Sequence, residues 1–283
     1  MTFAVTGANG HLGSLVIEHL IRRGTPADEI VALVRDPGKA DSLAARGVEV
    51  RAFDYERPDA LAGALAGVDA LLLISGTAFG QRFEQHRAVI DAAVAAGVGK
   101  LVYTSSPRAE VSINPVAGEH KATEEYLAGS GLAHVVLRNG WYHENYLGEL
   151  GSAAATGTVL TAAGSGRVAS AARNDYAEAA AVVLAGPVSG GTFELSGDVA
   201  WAQEDLAADL TAVLGREVSV RHVTAEEKTR ELAALGLDPG LVGFIVGVDR
   251  AIAAGELAGA TGELSALIGR PSAPLIDTLR AAA

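Results

Sequence analysis

Short apolar runs alternate with segments of helical periodicity along the first half of the chain. The apolar runs have the length and composition of strands buried on both faces, and they lie at residues 3–5, 29–34, 48–53, 70–74, 100–104 and 133–138. Amphipathic segments lie between them, at residues 12–22, 57–66, 82–96 and 119–128. Buried strands that alternate with crossover helices are typical of a parallel sheet. The pattern predicts an α/β fold of the Rossmann type, with a doubly wound parallel sheet.

This regular alternation ends after residue 139. A segment rich in alanine, threonine and glycine follows at residues 152–163. Strands are then predicted at residues 191–195 and 218–221, and helices at residues 203–214, 225–235 and 241–254. We predict a Rossmann domain over residues 1–150 and a smaller, mostly helical C-terminal lobe over residues 151–283. The lobe is expected to be interleaved with the first domain and not to fold independently.

A glycine-rich turn, Thr6-Gly7-Ala8-Asn9-Gly10-His11-Leu12-Gly13, joins the first predicted strand to the first predicted helix. In this setting Gly7 permits a tight turn, Gly10 lets backbone N–H groups approach phosphate oxygens, and Gly13 lets the helix pack close to the strand. An ordinary strand-to-helix turn is the alternative interpretation. The surrounding strand and helix favour a site for the pyrophosphate of a dinucleotide cofactor.

Arg35 and Asp36 follow the second predicted strand. In a dinucleotide fold the residue at the tip of this strand meets the adenosine ribose, where an acid accepts from the 2′-hydroxyl group and an arginine pairs with a 2′-phosphate. Arg35 therefore favours NADPH as the cofactor. The alternative is a solvated loop arginine, with Asp36 turned inward in its place.

The ends of the other strands supply further candidates, because ligands of open α/β sheets bind beyond the carboxyl ends of the strands. Asp54 suits the adenine amino group, and Thr104 suits the nicotinamide. Ser75 and Gly76 can offer backbone groups to the ribose and the pyrophosphate. Each of these residue types is also common in ordinary loops. The candidates at the strand ends are Asp54, Tyr55, Ser75, Gly76, Thr77 and Thr104.

No tyrosine of the chain is followed four residues later by lysine, although a Tyr-x-x-x-Lys pair is the usual proton donor for carbonyl reduction on this scaffold. His120 and Lys121 stand near the expected place and are weak catalytic candidates. The alternative for His120 is a solvated or capping histidine on a helix surface. A quinone acceptor needs no positioned proton donor, because hydride addition gives an aromatic hydroquinonate that water can protonate.

Aromatic and amide side chains follow the sixth predicted strand. Trp141 and Tyr142 can supply flat apolar walls, and Asn145 can supply an amide donor for a quinone oxygen. Burial of Trp141 and of the tyrosines, Tyr146 included, between the two lobes is the alternative. The substrate-binding candidates are Asn139, Gly140, Trp141, Tyr142 and Asn145.

Composition excludes several other classes of protein. The net charge of −12 opposes binding to nucleic acid, and the absence of cysteine excludes disulfides, thiolate catalysis and zinc–cysteine sites. The seven histidines show no metal-ligand spacing, so no metal is expected. No apolar run approaches the roughly 18 residues of a membrane span, and no signal sequence precedes the first strand. We expect a cytoplasmic protein that acts on a small molecule, and a homodimer is compatible with the sequence.

Several segments together resemble the bacterial type-2 NAD(P)H:quinone oxidoreductases, which are atypical short-chain dehydrogenases close to the NmrA-like regulators and the triphenylmethane dye reductases. The glycine turn is shared widely. The string Arg138-Asn139-Gly140-Trp141-Tyr142-His143-Glu144-Asn145-Tyr146 is far more specific and distinguishes the quinone-reductase branch from the dye-reductase branch. The likeness extends over nearly the whole chain, through residues 30–35, 71–75, 80–82, 85–87, 103–105, 169–176 and 195–198.

The resemblance implies an NADPH-dependent enzyme whose cofactor lies over residues 7–13 and beside residues 76–81, with Arg35 at the 2′-phosphate. The quinone pocket of the family would fall near residues 139–145. The cofactor-binding residues that the resemblance adds are Asn9, His11, Leu12 and Gln81.

Two positions depart from the family pattern. Asn9 replaces a more usual threonine and keeps a side chain that can form a hydrogen bond. Lys121 stands where a basic residue is not typical, which leaves room for an altered substrate.

Two other functions are compatible with the same sequence. An NmrA-like redox sensor would bind NADP without turnover and act through a protein partner. A reductase of an azo or triarylmethane dye, a ketone or an imine would share the cofactor site and differ only in the shape of the acceptor pocket.

Overall fold

The computed structural model describes residues 1–283 and contains nine strands in two sheets. The larger sheet has seven strands in the order β3-β2-β1-β4-β5-β6-β8, and the smaller sheet pairs β7 with β9. The strands are β1 (Phe3–Thr6), β2 (Ile30–Val34), β3 (Glu49–Ala52), β4 (Ala70–Leu73), β5 (Lys100–Ser105), β6 (His134–Asn139), β7 (Thr158–Thr161), β8 (Gly191–Leu195) and β9 (Ser219–His222).

Helices connect these strands and make up most of the chain after residue 140. They are α1 (His11–Arg22), α2 (Asp41–Ala44), α3 (Pro58–Ala64), α4 (Arg82–Ala96), α5 (Ala117–Gly129), α6 (Leu147–Thr156), α7 (Arg173–Ala185), α8 (Gln203–Leu214), α9 (Ala225–Ala234), α10 (Pro239–Ala253), α11 (Glu263–Ile268) and α12 (Leu275–Ala282). Short 3₁₀ turns lie at Ala27–Glu29, Pro37–Lys39 and His143–Tyr146.

The chain divides into two compact units, each built from three segments. The first unit comprises residues 1–109, 118–139 and 173–194, and the second comprises residues 110–117, 140–172 and 195–283. The sequence places the boundary after residue 150 and predicts a lobe that is interleaved with the first domain, and the observed units are discontinuous along the chain. The first unit holds the larger sheet, in which the neighbours from β3 to β6 pair in parallel. The predicted Rossmann-type architecture is confirmed.

The core of the first unit lies on both faces of its sheet. β1, β2 and β4 are buried at every residue, which explains why the sequence shows continuous apolar runs there instead of an alternating pattern. Leu33, Leu71 and Leu101 are fully buried, and each contributes about 1.5–3 kcal/mol through loss of water contact. Leu12, Val16 and Leu20 give α1 one apolar face at intervals of four residues.

The second unit has its own apolar core, in which the rings of Tyr146 and Trp201 form a T-shaped contact at a centroid distance of 4.7 Å. A buried ion pair joins two of its helices, because Lys228 of α9 lies 2.5 Å from Asp249 of α10. The same Asp249 carboxylate accepts from the backbone N–H of Ala162, just after β7, at 2.7 Å. None of the helices is both long and apolar enough to span a bilayer.

Two parts of the sequence prediction need correction. Residues 191–195, predicted as part of the C-terminal lobe, form β8 and extend the larger sheet beside β6. The helix α7 escaped prediction because its alanine-rich sequence is buried on more than one face, which leaves no single apolar stripe. Residues 152–163, which the sequence analysis describes only by composition, contain the end of α6 and all of β7.

Candidate functional site

The direction of the strand order reverses between β1 and β4. From β1 the chain proceeds outward to β2 and β3, and from β4 it proceeds the other way to β5 and β6. In open parallel sheets the loops at such a switch point diverge and leave a crevice beyond the carboxyl ends of the two strands. The walls of this crevice are the turn after β1 and the loop after β4.

The turn after β1 is compact because three of its positions are glycine. Gly7 adopts a left-handed conformation with φ of 58°, and its carbonyl accepts from the N–H of Gly10 at 2.8 Å. A Cβ atom on Gly13 would lie 2.4 Å from the carbonyl oxygen of Gly7, closer than any side chain tolerates. The roles predicted for Gly7 and Gly13 therefore have a steric basis.

The N-terminus of α1 opens at this turn without a capping side chain. Gly10 is the N-cap residue, no side chain accepts from the first turn, and no acidic residue lies in that turn. The N–H groups of the first turn and the positive end of the helix dipole are thus available to an anion. Asn9 and His11 are exposed beside them, whereas Leu12 is buried. The turn fits a pyrophosphate group.

Arg35 follows β2 directly and is exposed, with no salt bridge to any residue of the chain. Its neighbour Asp36 turns toward its own 3₁₀ turn, where the carboxylate accepts from the N–H of Gly38 at 3.1 Å and lies 3.5 Å from the Lys39 ammonium group. The guanidinium group of Arg35 is therefore the free charged group at this strand end.

The loop after β4 is held by side chains from three different elements. The N–H groups of three consecutive residues each donate to one buried side chain: Ile74 to Thr6 Oγ1 at 2.9 Å, Ser75 to Thr104 Oγ1 at 2.9 Å, and Gly76 to His86 Nε2 at 3.1 Å. The backbone N–H groups of Ser75 and Gly76 are thus used within the chain and do not serve as donors to a ligand. Thr104 Oγ1 likewise already accepts a hydrogen bond from the loop.

The remaining cofactor candidates lie around the crevice in ordinary loop settings. The Asp54 carboxylate accepts from the N–H of Glu56 at 3.1 Å, and the Tyr55 hydroxyl group donates to the carbonyl oxygen of Ile74 at 3.3 Å. Thr77 is exposed, and Gln81 is exposed as the N-cap residue of α4.

A buried polar cluster behind the loop was missed by the sequence analysis. It comprises His86 of α4, Tyr103 of β5, and His120 and Thr123 of α5. The Tyr103 hydroxyl group lies 2.7 Å from His120 Nδ1 and 3.3 Å from His86 Nδ1, and His86 Nδ1 lies 3.1 Å from Thr123 Oγ1. Burial, assisted by the nearby Arg82 charge, lowers the pKa of both histidines to about 3. Both rings are therefore neutral at physiological pH.

The alternative interpretation of His120, as a solvated or capping histidine on a helix surface, is wrong. His120 is only 6% exposed, and its Nδ1 is engaged by Tyr103. Lys121, the next residue, is on the exposed side of α5 and forms an ion pair with Glu125. A helical pattern could have identified the buried face of α4, since Arg82, His86 and Val89 recur at intervals of four and three residues.

Much of the family-specific string that begins at the end of β6 is structural. Arg138 pairs with Glu124 at 2.6 Å and with Glu194 at 2.8 Å, which joins β6 to α5 and β8. Tyr146 is 8% exposed and belongs to the core of the second unit. Tyr146 is therefore buried, as in the alternative interpretation, but within the core of the second unit.

The predicted substrate residues differ in exposure. Asn139 is buried at the end of β6, and the N–H of Gly140 donates to the carbonyl oxygen of Leu195 at 2.7 Å. Trp141 and Tyr142 are half-buried, and Asn145 is exposed. Trp141 and Asn145 therefore both retain surface through which a ligand can be contacted.

His143 and Ser170 form a pair that superficially resembles a nucleophile and its base. His143 Nε2 donates to the carbonyl oxygen of Ala273 at 3.0 Å, so its Nδ1 accepts from Ser170 Oγ at 2.8 Å. The same Ser170 oxygen accepts from Trp201 Nε1 at 2.8 Å. Both residues are buried, and these bonds tie together parts of the second unit.

A glycine turn at the switch point of a parallel sheet, opening onto an uncapped helix N-terminus, defines a dinucleotide-binding protein of the Rossmann type. A family model described as NAD(P)H-binding matches residues 7–187. The chain belongs to this NAD(P)H-binding family.

Relatives with this architecture cover the chain from end to end. The chain is 45% identical over 277 residues to quinone oxidoreductase 2 of Escherichia coli (strain K12), covering 98% of this chain and 96% of the relative. A crystal structure of the E. coli NADPH-dependent quinone oxidoreductase with NADPH aligns with a TM-score of 0.95 at 44% identity and covers 98% of each chain. The Citrobacter sp. triphenylmethane reductase with NADP(H) aligns with a TM-score of 0.94 at 38% identity and covers 100% of each chain. The resemblance to the type-2 quinone oxidoreductases is confirmed.

Proposed function

We propose that the protein is an NADPH-dependent reductase that transfers a hydride to a quinone. The observation that carries this proposal is the 45% identity, over 98% of the chain, to a quinone oxidoreductase. The crevice at the β1–β4 switch point supplies the matching cofactor site. When bound there, NADPH supplies the hydride.

Residues of the first unit bind the cofactor through its charged groups. The turn from Gly7 to Gly13 and the first N–H groups of α1 hold the pyrophosphate, and Arg35 pairs with the 2′-phosphate. The strand order β2-β1-β4 arranges these contacts across the sheet. Residues beside β2 would therefore hold the adenosine end, and the loop after β4 would receive the nicotinamide end.

The chain offers no positioned proton donor near neutral pH in the buried cluster. His86 and His120 are neutral, and burial raises the pKa of the Tyr103 hydroxyl group far above its usual value. A quinone suits such a site because water can protonate the reduced ring. Trp141 orients the quinone ring, and the Asn145 amide donates to the oxygen that gains charge.

NADPH oxidation against a panel of acceptors tests the proposal. The panel contains a benzoquinone, a naphthoquinone, a triarylmethane dye, an azo dye and a ketone. We expect the quinones to give the highest kcat/KM and the ketone to give none. Binding of NADPH without oxidation by any acceptor would contradict the proposal and favour a redox sensor.

Reduction of triarylmethane dyes is the second candidate function. The full-length structural match to the Citrobacter triphenylmethane reductase favours it over reduction of an azo dye, a ketone or an imine. A higher kcat/KM for the dye than for either quinone would establish this assignment. The cytoplasmic location and the homodimer stay predictions, which cell fractionation and light scattering of the purified protein can test.

A further inference from the structure

Gly76 is held on both of its peptide groups by α4. Its N–H donates to Nε2 of His86 at 3.1 Å, and its carbonyl oxygen accepts from Nε of Arg82 at 2.7 Å. Both side chains are almost wholly buried. Arg82 is itself held by Glu119 of α5, whose carboxylate accepts from the Arg82 backbone N–H at 3.0 Å and lies 3.6 Å from its guanidinium group.

The hydrogen bonds around His86 select one tautomer. Because Nε2 accepts from Gly76, the proton of the neutral ring is on Nδ1, which donates toward Thr123 Oγ1 at 3.1 Å. Thr123 in turn donates to the carbonyl oxygen of Glu119 at 2.8 Å. The chain of donors thus ends on the backbone of α5, and His86 cannot rotate without breaking several bonds at once.

The bonds from His86 and Arg82 to Gly76 affect only the side of the crevice that is formed by the loop after β4. The adenosine side is formed by Arg35 and by the glycine turn, whose geometry depends on backbone contacts and not on His86. The loop after β4 lies on the opposite side of β1 from β2. A change at His86 therefore acts on one half of a bound dinucleotide and leaves the other half untouched.

We propose that His86 and Arg82 are positioning residues that hold the Gly76 loop in the shape that receives the nicotinamide half of the cofactor. Neither side chain needs to touch the cofactor, since each acts through the peptide groups of Gly76. The proposal rests on the binding of NADPH described above. It assigns the two halves of NADPH to two different parts of the chain.

Two ligands separate this role from a general effect on folding. NADP⁺ occupies both halves of the site, whereas adenosine 2′,5′-bisphosphate occupies only the half near Arg35. In His86→Phe the ring is kept and the acceptor is lost, so we expect the Kd for NADP⁺ to rise about tenfold, in line with one lost hydrogen bond. The Kd for the bisphosphate is expected to change less than about twofold. Isothermal titration calorimetry measures both.

His19→Phe is the matched control. His19 is also buried in the first unit, and its Nε2 lies 2.9 Å from Asn174 Oδ1, but it lies on the face of α1 that meets α7. This variant should lower the melting temperature without changing the ratio of the two Kd values. His86→Gln, which restores an acceptor for Gly76, should recover most of the NADP⁺ affinity.

Equal weakening of both ligands in His86→Phe would overturn the proposal, and so would unchanged binding of both. If His86→Phe fails to fold, Thr123→Val tests the same idea, because it removes the nearer of the two partners of His86 Nδ1, leaves the Tyr103 hydroxyl group as the other, and does not alter Gly76. A rise in the NADP⁺ Kd of about threefold with unchanged bisphosphate binding would support the proposal. Failure of the wild-type protein to bind the bisphosphate would instead contradict the cofactor assignment itself.

Discussion

The glycine turn after β1 and the loop after β4 face the same crevice but are stabilised in different ways. The turn is held by contacts within eight residues, among them the bond from Gly10 to Gly7 and the close approach of Gly13 to the Gly7 carbonyl group. The loop is held by Thr6, Thr104 and His86, which come from three separate elements. A short local motif can therefore define one wall of a site while the other wall depends on the whole fold.

Gly13→Ala should disrupt the glycine turn after β1 and have the largest effect on stability and NADPH affinity. The added Cβ would lie 2.4 Å from the carbonyl oxygen of Gly7, so α1 must shift. We expect a loss of stability of about 3 kcal/mol from overpacking and a loss of NADPH affinity of roughly a hundredfold. Thermal unfolding and fluorescence titration with NADPH measure these effects.

Gly63→Ala provides the control, because a Cβ at this helical position of α3 meets no atom within 4 Å. It should stabilise the protein by about 0.5–1 kcal/mol, since alanine favours a helix more than glycine does. Similar behaviour of the two variants would show that Gly13 is not under steric constraint.

Mild acid should destabilise the protein through the buried histidines behind the loop after β4. His86 and His120 have native pKa values of about 3, whereas an unfolded histidine titrates near 6.5. The unfolded state therefore binds more protons between these values, and stability falls as the pH is lowered through that window. From pH 7 to pH 5 the free energy of unfolding should fall by about 2 kcal/mol for each histidine. The reason is that pH 5 lies about 1.5 units below the unfolded pKa, and each unit corresponds to about 1.4 kcal/mol.

The titratable and charged groups near these rings are Tyr103 of β5 and Arg82 of α4, and Arg82 is paired with Glu119 of α5. Urea unfolding at pH 7 and pH 5 measures the effect. His86→Phe should lose about half of the pH dependence. Equal stability at both pH values would mean that the histidines are not held neutral.

Asn145→Ala tests the binding of the acceptor independently of the two walls of the cofactor crevice. Loss of one donor to a developing oxyanion costs about 2.7–4 kcal/mol in well-organised sites, so kcat for a quinone should fall by roughly two to three orders of magnitude. NADPH affinity should stay within a few-fold. Steady-state kinetics and NADPH titration provide the measurement. Trp141→Ala should chiefly raise the quinone KM, because stacking helps the ground state and the transition state alike.

Acceptor kinetics that stay normal in both variants would contradict this assignment. Early unfolding of the two proteins in that case would show that the residues serve core packing.

Arg35→Ala should sharpen the distinction between the two halves of the cofactor. A charge-assisted contact to phosphate contributes roughly 1.5–3 kcal/mol, so NADPH affinity should fall about ten- to a hundredfold while NADH affinity stays nearly unchanged. The ratio of kcat/KM for the two cofactors reports the effect. Parallel loss for both would identify Arg35 as a residue that supports the fold.

A sequence pattern is sufficient to predict a structural feature when the contacts that produce the feature lie within one short segment. The strands β1, β2, β4 and β5 are recognisable because they are buried on both faces, and α8 is predicted with its observed bounds, Gln203–Leu214. The glycine turn is recognisable because its spacing follows from contacts among its own residues. The free guanidinium group of Arg35 is also predictable, since its place depends only on where β2 ends.

The errors occur where distant segments decide the outcome. His120 has charged neighbours in the sequence, yet Tyr103 and His86 enclose it. β8 reads as part of the C-terminal lobe, yet it adds to β6 of the larger sheet. The sequence does not decide the position of Tyr146, because nothing near it in the chain specifies the Trp201 ring that it meets.

The sequence by itself determined the fold class, the glycine turn and the family, because each depends on short-range geometry or on a string of adjacent residues. The tertiary structure decided how the loop after β4 is held and which histidines are buried and neutral. It also decided which aromatic residues after β6 keep an exposed surface. These features depend on hydrogen bonds and packing between residues far apart in the chain, and a linear pattern carries no information on which of those residues meet.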